Sequence, residues 1–343
     1  MQDKKHTMIS ELGEFGLIER LTGGFRSKNE GTILGVGDDA AVIGAKEGTQ
    51  TLLTTDLMLE GIDFDLTYFP MKHLGYKAVV TGCSDILAMN GRPRQLTLSV
   101  GVSSKLTVEQ LEEMYEGVNK ACEEYGIDLV GGDTSPSVNG LTISVSVVGE
   151  AEAGKIAFRS GAGLNDLICI TGDLGAAYMG LQLLEREKRA LEGHPDPKPH
   201  FEGYEYLLRR ELRPEARLDI VRALDEAGIV PTAMIDISDG LSSDLLQICR
   251  SSGCGARIYL DRLPIARETY ALAEEMNIDP VVAALNGGDD YELLFTVPLA
   301  RQEEIMKLGG IEVIGHVTAR ETGAALVTPD GSDIPLTAPG IRL

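Results

Sequence analysis

The chain has 343 residues, 43% of them hydrophobic and 24% charged, a composition that excludes disordered and fibrous classes and, at roughly 150 residues per domain, points to about two globular domains. Its 31 Lys and Arg stand against 53 Asp and Glu, a formal charge of −22, which repels nucleic acid and anionic membranes and leaves any anionic substrate in need of a cation that the sequence does not encode. The five cysteines, Cys83, Cys122, Cys169, Cys249 and Cys254, form neither a CxxC pair nor a Cys/His cluster, which argues against zinc and for a reducing compartment.

In chain order, the opening MQDKKHTMISELGEF lacks the apolar core of a signal peptide, and no apolar run reaches membrane length, so a cytoplasmic location is expected. Short strands are predicted at TILGVG, TLLTTD, LTLSVGV, IDLVGGD and LTISVSVVG, the last with the alternation of a half-exposed strand. Between them, HLGYKAVVTGCSDILAMNG reads as a small-residue helix capped near Asn90 and Gly91. TVEQLEEMYEGVNKACEEYG reads as an amphipathic helix opened by a Thr107/Gln110 capping box and stopped at Gly126. An α+β domain is thus expected over residues 1–150. The Gly- and Ala-rich GEAEAGKIAFRSGAGLND is the connection. An α/β domain is expected over 151–343, with strands at DLICITG, TAMID, ARIYL and YELLFTV, helices at LGAAYMGLQLLEREKR, PEARLDIVRALDEAG and GLSSDLLQICRSSG, and a surface loop at LEGHPDPKPHFEG.

Aspartates recur where apolar strands end: Asp38 and Asp39, Asp56, Asp133, Asp236 with Asp239, and Asp289 with Asp290 just before a strand, while Asp85 lies in the small-residue helix. Asp and Gly are ordinary turn formers; recurrence in both halves of the chain is what singles these out. Two carboxylates about 4 Å apart repel by roughly 1 kcal/mol in water and about 4 at a protein-like dielectric, so such a cluster calls for a cation. Oxygen-rich, His-poor donors suit Mg²⁺, which is commonly shared with substrate phosphates. Other motifs fail. GVGDDA is followed by a strand and carries two aspartates where a pyrophosphate would approach. DISDG has its glycine one position early for a calcium loop, no P-loop occurs, and His6, His73, His194, His200 and His316 show no ligand spacing. Asp244, further along the helix after Asp239, reads as a solvated or capping carboxylate.

Taken in order, GEFGLI, GVGDDAAV, TTDLMLEGIDF, KAVVTGCSDILAMNGRP, GGDT, RSGAGLND, IDISDGLSSDL and GGDDYELLFTV resemble the thiamine-monophosphate kinase family, within the superfamily of aminoimidazole ribonucleotide synthetase. The resemblance implies an α/β protein, its N-terminal α+β domain pairing with a second subunit in a dimeric barrel and its α/β C-terminal domain completing the substrate site. It implies ATP-dependent, direct in-line phosphorylation of thiamine monophosphate to thiamine diphosphate, assisted by several Mg²⁺ ions, in a homodimer. Carried over by motif, Asp39, Thr54, Thr55, Asp56, Asp85, Asp133, Asp236 and Asp239 would hold magnesium. Tyr115, Gly132, Asp133, Arg159 and Ser238 would contact ATP, and Asp289 would face the substrate. Arg159 and Asp239 are the expected catalytic residues, stabilising phosphate charge and bringing magnesium to the phosphate chain. Two positions depart from the family: Asp63 replaces the usual His and would pair with the cationic thiazolium or aminopyrimidine, and Ile341 stands where an aromatic stacks on the substrate. A sister enzyme of the superfamily, or a nucleotide- and metal-binding scaffold without turnover, are the competing readings.

Overall fold

The computed structural model describes residues 20–34, 42–43, 47–192 and 198–338. The chain forms two compact units, one built from the residues up to Ile86 together with Gly91–Ala153, the other from Leu87–Asn90 and the residues from Gly154 onward. No helix among the described residues is long and apolar enough to cross a membrane.

In the first unit a short antiparallel ribbon, β1 (Thr32–Leu34) and β2 (Val42–Ile43), precedes β3 (Thr49–Leu59), α1 (Met71–Ala88), β4 (Arg92–Ser103), α2 (Val108–Tyr125), β5 (Asp128–Ser137) and β6 (Thr142–Glu152). The four long strands make one sheet in the order β3-β6-β4-β5, parallel only between β4 and β5. The alternation in β6 sets its two faces: Ile143, Val145 and Val147 are buried, whereas Ser144 and Ser146 between them are half-exposed. On the buried face α1 comes so close to β6 that a Cβ on Gly82 would lie 2.6 Å from Val147 Cγ2. On the other face of β3, Leu53 is 75% and Leu57 58% exposed.

Glycine also sets the spacing of the two helices. A Cβ on Gly75 of α1 would sit 1.9 Å from the Met114 carbonyl oxygen of α2, and one on Gly117 of α2 1.8 Å from that of Lys72, so the helices meet backbone to backbone. The capping box that opens α2 is present, with Gln110 N–H donating to Thr107 Oγ1 and Thr107 N–H to Gln110 Oε1. Gly126 closes the helix at φ +69°. Asp128, 2% exposed, anchors the segment before β1 by accepting the backbone N–H of Lys28 and Asn29 and the Thr32 hydroxyl.

The second unit contains β7 (Leu167–Thr171), α3 (Ala176–Leu191), α4 (Glu205–Leu212), α5 (Leu218–Glu226), β8 (Ala233–Asp236), α6 (Leu241–Ser252) and β9 (Gly255–Tyr259). α7 (Arg267–Glu275), α8 (Pro280–Asn286), β10 (Leu293–Val297), α9 (Gln302–Ile305), β11 (Ile311–Thr318), β12 (Ala324–Val327) and β13 (Asp333–Pro335) follow. Its sheet runs β13-β12-β9-β11-β7-β10-β8, with β12 parallel to β9 and the other pairs antiparallel. Every residue of β7 and β10 is buried, which is why both read as continuous apolar runs. Ile168, Ile170, Ile235 and Leu294 pack with Leu241, Leu245 and Ile248 of α6. Met179 and Leu183 of α3, Leu207 of α4 and Leu272 of α7 form a separate core. The α/β class expected from sequence is the class observed. The loop expected to run on to Gly203 is followed directly by α4, whose charged sequence EYLLRREL hides the stripe that buries Leu207 and Leu212.

Candidate active site

In the first unit the acidic groups lie where β3 faces α1. Thr54 Oγ1 donates to Asp85 Oδ2, and Asp56 Oδ2 is 3.5 Å from the point a Gly82 Cβ would occupy. Thr54 and Asp56 share a face because they are two residues apart on a strand, opposite Val147 and Val145 of β6. By the same pleat Thr55 turns to the other face, where it donates to the Val145 carbonyl and accepts the Ser146 hydroxyl; the structure does not bring its side chain together with Thr54 and Asp56. Asp133 is exposed on β5, in register with Ser99. Gly132 must be glycine, since a Cβ there would lie 1.9 Å from the Leu98 carbonyl oxygen. Tyr115 is buried on α2, its ring edge-on to Phe25 at 6.4 Å, and burial pushes its phenol up to about 12.

In the second unit β8 ends at Asp236, paired with Leu293 of β10, and the turn Ile237–Gly240 leads into α6. Gly240 at φ +105° caps that helix, and a Cβ on it would meet the Leu285 carbonyl oxygen and Asn286 Cα at 2.9 Å. Ser238 and Asp239 are exposed, Asp236 is 3% and Asp244 2% exposed. Asp244 is therefore not solvated: its Oδ2 accepts the Asp239 N–H at 3.3 Å. Burial, then repulsion from Asp236 and Asp239, pushes its carboxyl up to about 8. This crowding is of one sign, and the donors in both units are oxygens alone, a set that fits a hard divalent cation. Among the described residues no three His, Cys, Asp or Glu side chains converge closely enough to hold one ion; Asp39 lies outside the described residues, as does Ile341.

Beside this turn, Gly287–Tyr291 runs antiparallel to it and is laced to it through the backbone. Asp289 N–H and Tyr291 N–H donate to the carbonyls of Ser238 and Ile237, each at 2.9 Å, and Ile237 N–H donates to that of Glu292 at 2.8 Å. Under this loop lies an ion network that the sequence reading missed. Arg210 donates to Glu292 Oε1 at 2.8 Å and to the Asp173 carbonyl at 2.9 Å, and stands 3.5 Å from Asp290 Oδ1. Arg217 stands 3.5 Å from Glu292 Oε2, which also accepts the Thr171 hydroxyl at 2.5 Å. The Asp290 and Glu292 side chains are fully buried, so removing the Arg210 guanidinium would leave an uncompensated buried charge. The signal was the pair of carboxylates two apart in GGDDYELL, both pointing to one side of an apolar strand start.

Arg159 is exposed, and its carbonyl accepts the Ser252 hydroxyl at 3.1 Å. Asp63 closes the turn after β3, its Oδ2 accepting the Leu59 N–H at 2.7 Å.

The chain matches known proteins along most of its length. Residues 37–151 match the family described as AIR synthase related protein, N-terminal domain, and residues 166–328 its C-terminal domain. The thiamine-monophosphate kinase of Aquifex aeolicus (strain VF5) is 36% identical over 308 residues, 89% of this chain and 93% of that protein. Two solved structures agree. The thiamine-monophosphate kinase from Stenotrophomonas maltophilia K279a is 29% identical with a TM-score of 0.78, covering 94% of this chain and 98% of the other. AaThiL complexed with AMPPCP and TMP is 34% identical with a TM-score of 0.73, covering 95% and 96%. With both units matched by family models and a 36% identical relative covered over 93% of its length, the chain belongs to the thiamine-monophosphate kinase family.

Proposed function

We propose that the chain is an ATP-dependent phosphotransferase that converts thiamine monophosphate and ATP to thiamine diphosphate and ADP, acting in the cytoplasm as a homodimer. The observation that carries this reading is its 34% identity, over 95% of its length, to AaThiL complexed with AMPPCP and TMP. An acceptor phosphate oxygen is already ionised, so attack on the γ-phosphorus needs no general base; it needs relief of repulsion between two polyanions and in-line alignment. Magnesium, when bound, supplies that neutralisation. Thr54, Asp56 and Asp85 of the first unit and Asp236 and Asp239 of the second are the residues that would hold it, with Asp39, Thr55 and Asp133 assigned to the same task by motif. Gly132, Ser238, Tyr115 and Arg159 would contact ATP, the Arg159 guanidinium offering its fork of donors to phosphate oxygens. Asp289, Asp63 and Ile341 would face the thiamine substrate.

The test is direct measurement of thiamine diphosphate from thiamine monophosphate and ATP. The wild-type chain forms product only with magnesium present, and Asp85→Asn and Asp236→Asn each lower turnover by at least about 100-fold, since a ligand matters no less than the groups that orient it. Nucleotide binding without product in the wild type would instead identify a scaffold, and unchanged turnover in Asp236→Asn would remove that residue from the metal site.

A further inference from the structure

The Gly287–Glu292 segment holds two non-glycine residues in the left-handed region, Asp289 at φ +58° and Tyr291 at φ +52°. Such a conformation costs about 1 to 2 kcal/mol at each residue and persists only where the surroundings dictate it. Here they do. Gly288 at φ +76° crosses so near the Ser238 carbonyl that a Cβ would lie 2.5 Å from its oxygen. The backbone bonds from Asp289 and Tyr291 to Ser238 and Ile237 fix the loop from one side. From the other, Asp290 Oδ2 accepts the Gly175 N–H at 2.9 Å, and Arg210 donates to the Asp290 carbonyl at 3.3 Å and to Glu292. Side chains therefore alternate along the segment: Asp290 and Glu292 go down into the ion network, and Asp289 and Tyr291 meet each other.

In that meeting the Tyr291 phenol, 5% exposed, donates to Asp289 Oδ1 at 2.9 Å. Burial and the neighbouring Asp289 hold the phenol well above its ordinary range, so it remains a donor at neutral pH. A carboxylate side chain at a half-exposed loop position otherwise has several rotamers. The strained backbone and the phenol together select one of them.

We propose that Tyr291 is a positioning residue, its hydroxyl fixing the Asp289 carboxylate in the orientation that receives the cationic part of the thiamine substrate. The proposal rests on the reading of Asp289 as substrate-facing and adds to it the group that aims it. Tyr291→Phe keeps the ring packing and removes one hydrogen bond to a charged group, an interaction whose loss is expected to raise the KM for thiamine monophosphate by about tenfold. The KM for ATP stays within about twofold, because the phosphate-holding groups are untouched. Asp289→Glu, which keeps the charge but carries it one methylene away from the phenol, raises the same KM without depending on how Tyr291→Phe folds. Because Tyr291 acts through Asp289, adding Tyr291→Phe to Asp289→Asn changes the KM no further. An unchanged KM for thiamine monophosphate in Tyr291→Phe or in Asp289→Glu, an equal rise in both KM values, or an additive effect in the double variant overturns the proposal. An unchanged KM in Asp289→Asn alone removes the substrate role of Asp289 itself, and the proposal with it, while the kinase reading stands or falls separately on product formation.

Discussion

Asp244 shows how far one carboxyl's surroundings govern it. The folded protein holds its proton up to about pH 8, whereas an aspartate in an unfolded chain releases it near about pH 3.9. Folding therefore favours the protonated form. The contribution of this group to stability is complete below about pH 3.9 and is lost as pH rises through about 8. Asp244→Asn removes the titration while its amide oxygen can still accept the Asp239 N–H. With a chelator present, the thermal midpoint of the wild type should fall more steeply than that of Asp244→Asn between about pH 5 and about pH 8; equal slopes would mean that Asp244 is ionised throughout. The sequence alone marked Asp236, Asp239 and Asp244 as three aspartates near a strand end and read Asp244 as solvated or capping; its bond from the Asp239 N–H agrees with the second reading and its burial excludes the first. Spacing along a helix tells which residues share a side, and it does not tell whether that side is covered.

At the scale of elements, α1 and α2 approach through Gly75 and Gly117 with no side chain between them. Gly117→Ala places a methyl against the Lys72 carbonyl, rigid backbone that cannot swing away, and helix propensity recovers only about 1 kcal/mol of the loss. Overpacking of this kind costs about 3 kcal/mol, so the denaturant midpoint of Gly117→Ala should drop markedly; an unchanged midpoint would show that the helices can part freely. α2 was legible in the sequence down to its Thr107/Gln110 cap because both signals, the apolar stripe and the capping box, are local. α4 was not, since Glu205, Arg209 and Arg210 dominate its eight residues and the partners that justify Arg210 come from elsewhere: Asp173 before α3 and Asp290 and Glu292 before β10. Ion pairs between segments that distant in sequence leave no periodic trace. The acidic positions were legible because each follows an apolar run, but of Asp56, Asp133 and Asp236 only Asp236 ends its strand, since Asp56 and Asp133 lie inside β3 and β5, and Thr54 and Thr55 were equivalent until the pleat of β3 assigned them to opposite faces.

For the whole molecule, two facts oppose each other: a formal charge of −22 per chain and a face of the first unit's sheet that is exposed among the described residues. β3 is an edge strand of 11 residues, and Leu53 and Leu57, 75% and 58% exposed, flank Thr55 along it. A long apolar edge left open invites pairing with another chain, and a second copy is the occupant proposed here. Two copies meeting there gain burial of those leucines against the repulsion of two like-charged bodies. That repulsion reaches about 30 Å at 0.01 M salt and only about 8 Å at 0.15 M, while the apolar gain depends little on salt. A homodimer formed through this face should therefore tighten as salt is raised, the reverse of an association driven by opposite charges. Sedimentation equilibrium across that range is the measurement. Leu53→Glu combined with Leu57→Glu, which adds charge to the face while leaving its buried side intact, should remain folded and monomeric at every salt concentration. A wild-type chain that sediments as a monomer throughout, or a double variant that still dimerises, would place the subunit contact on some surface other than this sheet.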